Sequence, residues 1–118
     1  MLKIDAIRKQ LLNVETFNSE VLQLIEKQNW LKIWVPKQYN GLGLPFSEGL
    51  QILQKTAKID GSLGWFITLC SGANYFSRNL KPTIAHQLFS SQKTCFGGSG
   101  MLGGTAEKQN DYYIVNGL

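Results

Sequence analysis

Glycines at positions 97, 98, 100, 103 and 104 surround Ser99 and lead into Thr105. This run is the main candidate for chemistry. Glycine lets backbone approach a ligand closely, and unblocked amides with the Ser99 and Thr105 hydroxyls can hydrogen-bond a flavin-type ring or a phosphate. No helical pattern comes after it, so the run is not a dinucleotide fingerprint. The Gly-Lys-Ser/Thr ending of a phosphate loop is missing too. On composition alone, a flexible connection between strands is the simpler reading.

Other reactive residue types stand apart. His86 flanks an apolar stripe with no carboxylate or nucleophile near it in sequence, which suits a structural histidine better than a general base. Asp60 precedes a helical pattern beside Gly61 and reads as a cap. Trp65, Phe66, Tyr75 and Phe76 recur at helical spacing, the usual signature of core, though such residues can also line a pocket. Tyr112 and Tyr113 read as cross-strand packing residues. The glutamates are isolated and form no acid pair. Cys70 and Cys95 lack a CxxC spacing, and one histidine is too few for a metal cluster, so no metal site is expected. The cysteines read as two free, buried thiols in a reducing compartment.

The elements that position these groups are set by periodicity. Ile4, Ile7 and Leu11 predict a helix near 3–13. Asn18 reads as the cap of a second, with Val21, Leu24 and Ile25 as its buried stripe. Trp30–Val35 is short, apolar and ended by Pro36, which pushes the preceding residue out of helical geometry. Tyr39–Gly43 is a turn whose Asn and Gly tolerate positive φ. Ser47 is expected to cap a third helix, carrying Leu50, Leu53 and Ala57. Asp60 or Ser62 caps a fourth over about 62–78, apolar around most of its circumference and so expected to be central and buried. Pro82 opens a fifth. Thr94–Ser99 reads as a Gly-rich strand, Gly100–Gly104 as a loop, and Asp111–Gly117 as a second strand.

The bulk properties fit one globular domain with its own core: 118 residues, 43% apolar and 17% charged. The net charge of +4 comes from twelve scattered Lys and Arg, with no basic block for nucleic acid. The N-terminus lacks a signal-peptide core, and the apolar run Leu63–Phe76 is too short to span a membrane. A cytoplasmic protein is expected.

Several of these residues together resemble the N-terminal region of the acyl-CoA dehydrogenase superfamily. Val35-Pro-Lys-Gln-Tyr-Asn-Gly-Leu-Gly43 is similar to the family's V-P-x-x-Y-G-G-x-G loop, with Asn40 replacing the first Gly. Asn is the best non-Gly residue for positive φ. The Ser47–Ile59 helix and Asp60-x-Ser62 match the family segment on the C-terminal side of that loop. Phe96–Ala106 is similar to F-A-L-T-E-P-x-x-G-S-D, and Asp111–Gly117 to d-G-Y-x-V-N-G.

The resemblance implies a mostly α fold: a helical N-terminal domain over 1–92, then the first strands of a middle β-barrel domain over 93–118. It implies FAD as cofactor, with Phe96, Gly98, Ser99, Gly104 and Thr105 at the flavin. In the family, a base takes the α-proton of an acyl thioester and hydride passes to the flavin. The implied partners are a flavin, an acyl-CoA or other small-molecule substrate and, for the full-length protein, further copies of itself. The base, a second flavin-binding strand and a C-terminal helical bundle would lie beyond Leu118. The catalytic residues therefore stay unknown, and the segment alone is expected to be inactive. Departures at Gly100-Met101 and Ala106, with Gly64-Trp65 after the cap, lean toward the flavin-dependent hydroxylase branch, where FMN is an option. A non-catalytic helical interaction module is the third reading.

Overall fold

The computed structural model describes residues 3–91, 93–98 and 100–117. In chain order its elements are α1 (Ile4–Leu11), α2 (Ser19–Lys27), α3 (Phe46–Ile59), α4 (Gly61–Asn74), α5 (Pro82–Leu88), β1 (Gly104–Gln109) and β2 (Tyr112–Gly117). Short 3₁₀ turns occupy Trp30–Lys32, Lys37–Tyr39 and Tyr75–Asn79. The chain is thus mostly helical, with one antiparallel two-stranded sheet at its C-terminal end.

The core is organised around Trp30–Val35. Asn29 takes left-handed geometry (φ 55°) and turns the chain off the end of α2. The next six residues are all buried, none more than 7% exposed. Beyond one 3₁₀ turn they lie in no regular element, so each buried carbonyl needs a partner from elsewhere. Leu31 O accepts from Asn74 Nδ2 (2.8 Å) and Trp34 O from Arg78 Nη2 (3.2 Å). Lys32 O, Ile33 O and Val35 O accept from the amides of Leu42, Leu44 and Gly43, at 3.0, 3.1 and 2.9 Å. The Val35–Gly43 loop therefore folds back along the segment that precedes it.

Two turn residues make that return possible. Asn40 is left-handed (φ 60°), the geometry anticipated for it. A Cβ on Gly41 would overlap the Val35 carbonyl, so only glycine allows the close approach.

The helices pack around this segment. Ile7, Leu11, Val21, Ile25, Ile59, Leu63 and Ile67 join Trp30, Leu31, Ile33 and Trp34 in the main core. Val35, Tyr39, Ala85 and Phe89 form a smaller cluster beneath α5. Asn18 caps α2 by accepting from Val21 N, and Asp60, rather than Ser62, caps α4 by accepting from Leu63 N, each at 2.9 Å. Arg8 ties α1 to the C-terminal end of α3, donating to Lys58 O and Ile59 O at 2.7 and 3.2 Å. Cationic donors suit that end of a helix.

Several expectations are corrected. Ser47 is not a cap: α3 starts one residue earlier, after Pro45, and has no side-chain cap. Helix α4 ends at Asn74 and is buried on one face only. Trp65, Leu69 and Phe76 are exposed, because α3 and the Trp30–Lys32 turn cover a single side. Residues 94–98 form no strand, and β1 begins at Gly104, inside the expected loop. An antiparallel strand needs a partner, and β2 pairs with Gly104–Gln109 across an Asn110 turn of positive φ (51°). Cys70 and Cys95 are not free thiols. They form a disulfide with Cα atoms 5.2 Å apart, and Cys95 is exposed. Their sequence separation of 25 hid the return of the chain past α4.

Lys32 is the core's buried cation, fully shielded from solvent. Its Nζ donates to Phe89 O (2.9 Å) at the end of α5 and lies 5.8 Å from the Phe89 ring centroid. Burial pulls its ammonium below the usual 10.5. Between that lowered value and 10.5 the unfolded chain binds more protons than the folded one, so stability rises with pH across the window.

This packing leads to two expected outcomes. Gly41→Ala is expected to cost about 3 kcal/mol or more, read by urea denaturation, because backbone must move to admit the methyl group. Lys32→Met is expected to remove the gain in stability that the parent shows as pH rises from the lowered value toward 10.5. Parallel pH slopes for the two proteins would refute the lysine's role in that gain.

Candidate functional site

The predicted site residues fall into two groups. Gly104 and Thr105 open β1 and pair with Gly117 and Asn116 of β2. With Leu102 and Gly103 these residues line a concavity of about 510 Å³ at the base of the hairpin. Thr105 and Asn116 are direct cross-strand partners, so their side chains leave the same face of the ribbon. Gly104 is required here: a Cβ would sit 2.7 Å from Asn116 O. The concavity is therefore edged by one hydroxyl, one carboxamide and bare glycine backbone. Its donors and acceptors are neutral and placed at short reach. Asn116 escaped the reading of site residues from sequence. The available signal was its place in the Val-Asn-Gly ending of the strand.

Phe96 and Gly98 lie elsewhere. Phe96 packs edge-to-face on Phe89 of the helical core, with ring centroids 5.3 Å apart. Its amide donates to Asn74 Oδ1 (3.2 Å). Gly98 is exposed, with open space where a Cβ would be. Ser99 lies outside the described residues.

Asn74 is the residue that attaches this segment to the helices. Buried at the end of α4, its Nδ2 donates both to Leu31 O and to Thr94 O, each at 2.8 Å, while Oδ1 accepts from Phe96 N. One carboxamide thus joins the buried core segment to the approach of the glycine run. Thr94 adds a bond of its own, Oγ1 donating to Leu88 O (2.7 Å).

The remaining candidates carry no site. His86 is exposed and meets Tyr39 edge-to-face, centroids 5.8 Å apart. Asp60 is a cap. A second cavity, about 530 Å³ between α1, α3 and Trp30, has mainly apolar walls with Arg8, Lys55 and Lys58 among its lining residues, and no histidine, cysteine or carboxylate lines it. Among the described residues no group of three or more His, Cys, Asp or Glu is placed to hold a metal ion. No helix among them is long and apolar enough to cross a membrane.

Comparison with known proteins bears on the helical part. The family model described as acyl-CoA dehydrogenase, N-terminal domain, matches residues 3–79. The chain belongs to this family. The match spans α1 to Asn79 and includes the Val35–Gly43 return loop, the Asp60 cap and Asn74. In this acyl-CoA dehydrogenase N-terminal domain, the glycine run and the hairpin lie beyond the matched residues. No curated protein and no solved structure matches the chain.

Asn74→Ala is expected to destabilise the domain by about 2–4 kcal/mol, since it strands the buried Leu31 carbonyl, the half-buried Thr94 carbonyl and the Phe96 amide. Thermal or urea unfolding checks this. A loss below that of an ordinary surface substitution would remove Asn74 from its linking role.

Proposed function

We propose that this chain is the N-terminal part of a flavin-dependent oxidoreductase of the acyl-CoA dehydrogenase type. On this reading, residues 1–92 form the helical domain and 93–118 the start of the middle β domain. The observation that carries the reading is the family match over residues 3–79. The hairpin base supports it. The Thr105 hydroxyl, the Asn116 carboxamide and glycine backbone around a concavity of about 510 Å³ fit the carbonyl and imide edge of a flavin ring.

The residues proposed at the flavin are Gly104 and Thr105, with Asn116 added. Phe96, Gly98 and Ser99 are retained from the family resemblance, Phe96 as the residue that seats the segment on the helices. A bound FAD would supply a two-electron acceptor for an acyl-CoA or related small-molecule substrate. The chain's part is to position it: Thr105 and Asn116 offer hydrogen bonds from one face, and the glycines admit the ring edge closely. No described residue is placed as the base for the substrate proton. Assembly into homo-oligomers belongs to the proposal too. Trp65 and Leu69, one turn apart on α4, are 68% and 54% exposed, an apolar surface that suits burial. The hydroxylase branch, with FAD or FMN, stays the second reading on the strength of Gly100-Met101 and Ala106.

Adding FAD to the isotopically labelled protein is expected to shift the amide resonances of Gly103, Gly104, Thr105 and Asn116, and Thr105→Ala is expected to weaken the effect several-fold. No acyl-CoA oxidation is expected from these residues alone. Unmoved hairpin amides at millimolar FAD would sink the assignment. A full-length protein that consumes oxygen with reduced flavin, and leaves acyl-CoA untouched, would favour the hydroxylase reading.

A further inference from the structure

The disulfide joins two parts of the chain that are held in different ways. Cys70 sits on the buried face of α4 among the core residues, 5% exposed. Cys95 lies in the exposed stretch that leads from α5 into the glycine run. The residues on either side of Cys95 are tied down as well: Thr94 O and Phe96 N both bond to Asn74, four residues along α4 from Cys70. After Phe96, the described residues 97, 98 and 100–103 belong to no helix or strand and are exposed.

We propose that Cys70–Cys95 is a reversible redox clasp that fixes the approach of the glycine run to α4 when oxidised and releases it when reduced. Three features carry this. The exposed partner, Cys95, gives a thiolate reductant access to one sulfur. The buried partner occupies an apolar position where a free thiol is at home, so reduction leaves the core filled. Beside Cys95, Thr94 and Phe96 are held by hydrogen bonds and an aromatic contact, which can open locally without unfolding the helices. The clasp does not depend on what the hairpin binds.

The chemistry balances with a dithiol reductant. Its thiolate attacks Cys95 Sγ, forming a mixed disulfide and releasing the Cys70 thiolate, which takes up a proton. The reductant's second thiolate then displaces Cys95, which is protonated in turn. The protein gains two electrons and two protons, and the dithiol becomes its own disulfide.

The test uses the 118-residue protein under native conditions. Dithiothreitol is expected to expose two alkylatable thiols while the far-ultraviolet circular dichroism stays unchanged. Hydrogen exchange over residues 94–104 is expected to rise about tenfold, with 30–35 and 61–74 unchanged. Cys95→Ser is expected to show the same exchange as the reduced protein, with no further response to dithiothreitol. The clasp is overturned if the disulfide resists reduction until the helices unfold, if the thiols stay free after oxidation, or if oxidised parent and Cys95→Ser exchange alike over 94–104.

Discussion

The rest of the molecule depends on dehydrating six consecutive residues, Trp30–Val35, that run through the core without a helix or sheet to satisfy them. Burying an unpaired peptide carbonyl costs as much as several good contacts contribute. Each carbonyl from Leu31 to Val35 is therefore answered by a specific donor: three amides from the return loop, and the side chains of Asn74 and Arg78. This requirement dictates residues at distant positions. Gly41 lets the loop lie close, Asn40 turns it, and α4 must end where its asparagine reaches Leu31.

The same constraint reaches the candidate site. Asn74 serves the core segment with one hydrogen and the path toward the glycine run with the other. A polar group that first answers a packing problem thereby also holds Thr94 and Phe96, where the chain leaves α5 for the glycine run. The hairpin itself takes nothing from that core. Both strands are exposed along their length. An isolated two-stranded ribbon is marginal in water, so its order rests on its own turn and on how its approach is held.

Local features were legible in the sequence. Asn18 and Asp60 cap helices because their short side chains reach a free amide within one turn. Pro36 ends the helical pattern, and Asn40 takes the left-handed turn. The family match agrees with the motifs read over that region. What escaped depends on distance along the chain. Hydrophobic content marked α4 as buried, but only a partner surface decides which face is covered, so Trp65 and Phe76 stand in solvent. Nothing local marks Lys32 as buried, because its acceptor, Phe89 O, lies 57 residues on. The cysteines looked independent for the same reason. At the site, Thr105 and Gly104 were readable as a glycine-bounded pair, whereas Asn116 joins them only through strand register.

The spacing of the donors also fixes an order of events in folding. Asn74 and Arg78 reach back 43 and 44 residues to the carbonyls they satisfy. The return loop can form early, since its bonds span about ten residues. The segment it embraces cannot lose its water until α4 has arrived. A nascent chain is therefore left wet at its centre until Arg78 has been made. Without α4 and the turn after it, helices α1–α3 hold no side-chain donor for Leu31 O or Trp34 O.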